Sequence, residues 1–491
     1  MNKTINLKPG PNTIRVPSLN IGFFFDGTKN NINDEDQSTN TNVAKLFKIY
    51  RSQKEDPNQF AAHYVRGVGS KAITEEDKKV ENGNLITDSI GAGTGTGAYA
   101  RTNYMYNLFQ DTLNAYKDRN KRWPGKVFID VFGFSRGAAL ARHFVNIINK
   151  NEFAVGRQTV NLYPPETKAE VRFLGIFDTV GSFGMPGDDK DGNFNFHVDN
   201  TKARYIYHIT AEDELRANFD LQSIATGPGQ NLSAEKADKA RINGAKRWMI
   251  EEEFPGVHAD IGGGYTSIKE DHYIQDNNLA KMYLRKMHER CLQCGVPLKT
   301  LIEIEQDKNF YNNHWKTVYT QSPPPPKLED LFKEINKTYL DRNSTRLRTK
   351  HKILREHQRA VEIYQRKAKN PPRPSDGRIT PPPINIPLEK AERETKYRII
   401  PMQEAIIREC FNGNKSKFKE FENDYNKLRN YFIHISHAPF DSMMIGMDAQ
   451  QKRLDNTRWP LVDSPGFDVK NFIEKCEPWK LQREVFYPKA K

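Results

Sequence analysis

The segment from Lys126 to Lys150 constrains the fold more than any other part of the chain. Lys126–Phe132 (KVFIDVF) is an unbroken, mostly apolar run with the β-branched and aromatic residues of a strand buried on both faces. Ala138–Lys150 follows almost at once and is rich in helix formers. Between them lies Gly133-Phe134-Ser135-Arg136-Gly137, with the spacing G-x-S-x-G. A serine perched between a strand and a helix needs a sharp turn, so the residues two before and two after must be small. The bare pattern arises by chance, and its meaning here comes from the strand before it and the helix after it. Ser135 is read as a nucleophile, with Gly133, Phe134 and Gly137 forming the elbow. The Arg136 N–H, at the start of the helix, is a natural donor to an oxyanion.

Other strand signals fit the same architecture. Leu19–Phe25 (LNIGFFF) stops at Asp26-Gly27-Thr28, a turn that places Gly27 and Thr28 as second oxyanion donors. Tyr64–Gly69 begins with a second strand, and a helix is expected near 98–117. Val171–Phe177 is a third clear strand, ending at Asp178, and Arg247–Ile250 is a weaker one before a turn over 253–264. Strands alternating with helices predict an α/β-hydrolase-like, mostly parallel sheet flanked by helices. The block 208–219 reads as a helix start with Asp213 and Arg216 one turn apart, serving as scaffolding. Composition changes near residue 322, where SPPPPK opens a charged helical stretch that PPRPSDGRITPPPINIP (371–387) closes. The expected organisation is therefore a catalytic domain over 1–315, a helical, proline-bracketed accessory region over 316–425, and a segment over 426–491 packing back on the core.

A serine hydroxyl needs a base, and the base needs an orienting carboxylate. In this kind of fold both follow the serine in the chain, at the carboxyl ends of strands. Asp178 is the acid placed directly at such an end; Asp188 and Asp189 lie in a polar, glycine-containing loop. Among the 12 histidines, His258 sits in a loop of small residues and is favoured by position, with His437 second.

The bulk numbers exclude several classes. No run approaches the roughly 20 apolar residues of a membrane-spanning helix, and the mean hydropathy is −0.78. Met1–Leu19 lacks the pattern of a secretory signal, so export is expected by a route that reads none. The four cysteines do not make a disulfide framework, and the Cys291/Cys294 pair lies in a predicted helix over 278–294. Neither a metal nor a cofactor is expected. The glycine run Gly91–Gly97 departs from strict dinucleotide spacing and lacks a clear strand before it, which favours a loop beside the site. The net charge of +13 is partly local: nine Lys/Arg against two Glu between Arg346 and Lys369. That stretch is expected to be a solvated helix face or a contact to an anionic membrane surface; nucleic acid is not an expected partner.

IGFFFDGTKNN (21–31), YVRGVGS (64–70), the 91–97 glycine run, GFSRGAALAR (133–142), FLGIFDTVGSFGMPG (173–187), HITAEDELRANF (208–219) and FPGVHADIGGGY (254–265) resemble, in order, blocks of the type VI secretion system phospholipase effectors. The resemblance spans about residues 18–270. It implies an α/β-hydrolase with the triad Ser135, Asp178 and His258, attacking the membrane phospholipids of rival bacteria. It further implies a membrane-contacting module, a secretion-spike protein as carrier and a cognate immunity protein in the producer. The implied route is synthesis in the cytoplasm and delivery to the target-cell periplasm. The readings to be separated are a phospholipase A, a soluble carboxylesterase on the same fold, and a non-enzymatic polyanion-binding module on a degenerate hydrolase.

Overall fold

The computed structural model describes residues 18–34, 39–70, 73–75, 79, 96–155, 158–181, 194–214, 219–227, 232, 241–242, 245–264, 277–318, 327–341, 347–348, 350–355, 357–358, 361, 365, 385–433 and 485–486. His437, Asp188, Asp189, Arg216, Cys476 and residues 91–95 of the glycine run lie outside these.

Six strands form the main sheet: β1 (Ser18–Phe25), β2 (Phe60–Val65), β3 (Lys126–Phe134), β4 (Lys168–Phe177), β5 (Tyr205–Ala211) and β6 (Trp248–Phe254). Their spatial order is β6-β5-β4-β3-β1-β2, and every neighbouring pair is parallel. With β1 beside β3, the connection after β1 runs to β2 on one side of the sheet and that after β3 runs to β4 on the other. A crevice therefore opens at the carboxyl ends of β1 and β3, where open parallel sheets bind their ligands. The turns after these two strands carry Asp26-Gly27-Thr28 and Ser135.

Alternation along the strands feeds two separate apolar layers. Ile21, Phe23, Phe25, Ile129, Val131 and Leu174 pack against helices α2 (Thr96–Asn120) and α3 (Arg136–Lys150). Phe24, Phe132, Phe173 and Tyr205 face the other way, toward α1 (Asn42–Ile49) and α5 (Asn278–Gln293). Between β6 and α5 lies a short helix, α4 (His258–Gly262). The second layer continues without a break into the helical part of the chain, taking in Leu328 and Phe332 of α6 (Leu328–Asp341) and Phe421 and Leu428 of α7 (Lys415–Phe432). The composition change near 322 thus leaves no gap in the buried core, and α7 runs through the expected boundary at 425.

Several local expectations need correction. The block at 208–219 does not begin as a helix: Tyr205–Ala211 (YIYHITA) is a buried strand, its aromatic and β-branched residues outweighing the one-turn spacing of charges beyond it. The second strand starts four residues early, at Phe60, and β6 extends to Phe254, past the expected turn start. Helix α1, beginning at Asn42, has no counterpart among the elements expected from the sequence. Over its described residues the basic stretch is only partly a solvated face: Arg348 is exposed, but other charges are paired. Lys350 pairs with Glu409 at 2.7 Å and Lys352 with Glu253 at 2.5 Å. Arg355 is buried against Glu212 and Asp213. His351 and His357 are buried too, on Glu422 and Glu394. Lys350, Lys352 and Arg355 are thus paired with carboxylates of the same chain.

One buried ion pair braces the strand that carries the elbow. Asp130 of β3 accepts two hydrogen bonds from Arg172 of β4, at 2.9 and 2.5 Å, and a third from Tyr50 Oη at 2.8 Å. Removing the cation leaves a buried carboxylate without its counter-charge, which costs about 3–5 kcal/mol. Arg172→Met is expected to lose that much stability in urea unfolding, whereas Tyr50→Phe should lose only about 1 kcal/mol.

Candidate active site

The elbow is as tight as its glycines imply. Ser135 has φ +59°, a region that side-chain-bearing residues rarely occupy and that costs of order 1–3 kcal/mol. A Cβ on Gly133 would stand 2.6 Å from Ala138 Cα, and one on Gly137 would stand 2.3 Å from the Asp26 carbonyl oxygen. Gly137 therefore lets the first turn of α3 sit directly on the end of β1. The backbone of Ser135 is tied to the neighbouring turn from both sides. Its N–H donates to the Phe177 carbonyl at 3.1 Å, and its carbonyl accepts from the Val180 N–H at 3.3 Å.

Asp178 occupies that neighbouring turn, also with positive φ (+41°), and is fully buried. Its Oδ1 accepts the Ala211 N–H at 2.8 Å, and its Oδ2 lies 2.6 Å from His258 Nδ1. With Nδ1–H donated to the carboxylate, Nε2 keeps its lone pair for another proton. His258 opens α4, and its ring packs on Phe134, the residue preceding Ser135, at 4.6 Å between centroids, and edge-on to Phe219 at 4.9 Å. The model thus brings Asp178 and His258 into contact beside the strand end that bears Ser135.

Four further side chains, His208, Glu251, Glu214 and Asp213, support this arrangement. His208 of β5 lies beneath the Asp178 turn. Its Nε2 accepts the Thr179 N–H at 3.2 Å while its Nδ1 faces Glu251 Oε2 at 2.8 Å. Burial holds this imidazole below its usual range, which keeps the accepting lone pair free of a proton. Glu251 in turn accepts from Ser223 Oγ and the Ile224 N–H, and lies below the usual carboxylate range; burial alone would raise it, but its hydrogen bonds outweigh that. Around His258, Glu214 accepts the His258 N–H at 3.2 Å and Asp213 accepts the Gly256 N–H at 2.6 Å. Asp213 is itself held by Arg355 at 2.9 Å, so the helical region reaches the histidine loop. The scaffolding role read for 208–219 rests on Asp213 and Glu214, not on a helix.

The Gly27 expectation is corrected. The Gly27 N–H donates to Asp26 Oδ1 at 2.7 Å, which withdraws it from the crevice. The next amide, that of Thr28, has no acceptor among the described residues. Thr28 Oγ1 accepts from Arg136 Nε at 2.7 Å, which joins the two loops on either side of the crevice.

The model of the Tle1-like phospholipase effector catalytic domain of the type VI secretion system matches residues 20–156 and 150–290, more than half the chain. The chain belongs to this family. No curated protein matches it. Among solved structures it is similar to an uncharacterized protein from Pseudomonas aeruginosa (16% identity, TM-score 0.45), with 86% of this chain and 64% of that one covered. It spans, then, less than two thirds of that protein's length. It is also similar to the Tle1 effector bound to the VgrG spike (19% identity, TM-score 0.40), covering 66% of this chain and 86% of that one.

Asp26 anchors the turn that leads to Thr28, and its carboxyl is lifted to about 6. Burial is the main cause; hydrogen bonds from Thr41, Tyr64 and Gly27 oppose it. The folded state therefore retains a proton that the unfolded chain releases near pH 4. The stabilisation this brings is complete below about pH 4 and is lost as pH rises to about 6. Asp26→Asn removes the titration. The stability of the wild type relative to this variant should fall by about 3 kcal/mol across that window. Urea unfolding of both proteins at half-unit pH steps measures it; parallel profiles would contradict the assignment.

Proposed function

We propose that the chain is a phospholipase of the A type, in which Ser135 attacks an acyl ester of a membrane phospholipid. The observation that carries this reading is the 2.6 Å contact between His258 Nδ1 and the buried Asp178 carboxylate, placed at the end of β4 beside a strained serine. In the proposed reaction His258 Nε2 takes the Ser135 proton as Oγ bonds to the ester carbon. Asp178 holds the imidazole in the required tautomer and stabilises the imidazolium. The oxyanion is received by the N–H groups of Arg136 and Thr28, the former at the head of α3. His258 then returns the proton to the departing lysophospholipid oxygen. Water, activated by the same imidazole, hydrolyses the acyl-serine and releases the fatty acid.

Membership of the family supports delivery by the type VI system, with a spike protein as carrier. We further propose action from the target-cell periplasm and an immunity protein in the producing cell. The helices after residue 315 are proposed to act as a brace for the histidine loop, since Arg355 and Lys352 are committed to Asp213, Glu212 and Glu253.

A fluorophosphonate probe should label the wild type and not Ser135→Ala. Turnover of mixed phospholipid vesicles, followed by mass spectrometry, should drop by about three orders of magnitude or more in Ser135→Ala and His258→Ala. Asp178→Asn should lose a similar factor, through the wrong imidazole tautomer. Release of free fatty acid plus lysophospholipid is the expected product pattern. Labelling that survives Ser135→Ala, or a headgroup released in place of a fatty acid, would overturn the reading.

A further inference from the structure

The elbow carries a cation that its backbone chemistry does not require. From Val131 to Arg142 every side chain is buried except that of Arg136, which is half-buried at the first position of α3. Its Nε is spent on Thr28 Oγ1 at 2.7 Å, which leaves the two terminal nitrogens of the guanidinium fork. Among the described residues no carboxylate pairs with it. Burial pulls its pKa below the usual arginine range. The acid of the facing loop, Asp26, is buried and has both oxygens engaged by Gly27, Thr41 and Tyr64. Two other buried arginines of this part of the fold, Arg101 and Arg142, are spent on backbone carbonyls. Arg101 donates to the carbonyls of Arg66, Gly97 and Gly67, and Arg142 to those of Phe196, Gln222 and Ser223. Arg136 is a partly desolvated fork held in place by one hydrogen bond, with no anion paired to it among the described residues.

We infer that Arg136 is a phosphate-recognition residue, its free guanidinium edge receiving the phosphodiester of the substrate headgroup while Ser135 attacks the acyl ester. Two features carry this. The first is the chemistry of the fork: a planar guanidinium with two free N–H groups matches two phosphate oxygens, and partial removal from water strengthens that pairing. The second is position. Arg136 follows the nucleophile in the chain, and in a glycerophospholipid only a few bonds separate the acyl ester from the phosphorus, within the span of an arginine side chain. Thr28 contributes by fixing the fork's direction, so that one residue pair supplies both an amide toward the ester and a cation toward the headgroup. The inference rests on the phospholipase reading and adds the part of the substrate that is read.

The test compares two esters with identical acyl chains in the same neutral detergent micelles, phosphatidylglycerol and the corresponding diacylglycerol. The readout is the ratio of their kcat/KM values. Arg136→Met is expected to lower that ratio by about tenfold or more, as loss of a charged hydrogen-bonded pair would. Arg136→Lys, which keeps the charge but not the fork, should fall between. Any general loss from disturbing the Thr28 contact affects both esters and cancels in the ratio. A non-hydrolysable diether phosphatidylglycerol should likewise inhibit Arg136→Met less well than the wild type by the same factor. A ratio unchanged in both variants, with wild-type phospholipid turnover intact, would overturn the inference and leave Arg136 as a clamp on Thr28 alone. Wild-type hydrolysis of diacylglycerol without phospholipid would overturn it together with the phospholipase reading.

Discussion

A carboxylate sealed from water at the end of β4 sets the terms for everything around it. Burying an ionised Asp178 without compensation would cost several kcal/mol, so its oxygens must be met by donors. One is met by the Ala211 N–H at the end of β5 and the other by His258 Nδ1. These two bonds dictate that β5 lie beside β4 in register, and that the chain after β6 turn back over the same edge. They also explain a strained aspartate: a positive φ at Asp178 is tolerated because the turn is pinned from below by His208 and beside it by the Ser135 backbone.

The histidine that completes the pair stands at the end of a longer chain of support. Its N–H is held by Glu214, and the preceding Gly256 N–H by Asp213. Asp213 would be a buried anion facing Glu212 were it not for Arg355, whose guanidinium serves both. The helical region is thereby coupled to the site through charge as well as through the apolar layer that runs from Phe132 to Leu428. Disturbing the helices would reach His258 through an unpaired carboxylate, a more costly route than a lost apolar contact.

The same accounting assigns the protein's positive charge to two uses. Within the described part of the 346–369 stretch, Lys350, Lys352 and Arg355 are consumed by glutamates and an aspartate of the fold. Arg348 lies over the Tyr339 ring at 4.4 Å. A high local count of lysine and arginine therefore says little about the surface until the partners are known. Arg136 is the opposite case: a cation in an apolar motif, inconspicuous by count, yet held at the crevice without a carboxylate partner among the described residues.

Most of the sheet and the nucleophile turn were legible in the sequence for a simple reason. A strand buried on both faces must be apolar throughout, and a nucleophile turn must be small at two fixed positions, so KVFIDVF and G-x-S-x-G are local necessities. Asp178 was legible because it ends such a strand directly. What the sequence could not show is anything that depends on which strands become neighbours. His208 looks like part of a charged helix start until β5 is laid beside β4, and only then does its ring fall under Thr179. The basic run looks exposed until Glu212, Glu253 and Glu409 are folded against it. Local sterics are written in consecutive residues, whereas hydrogen bonds between groups tens to hundreds of positions apart exist only once the tertiary structure has closed.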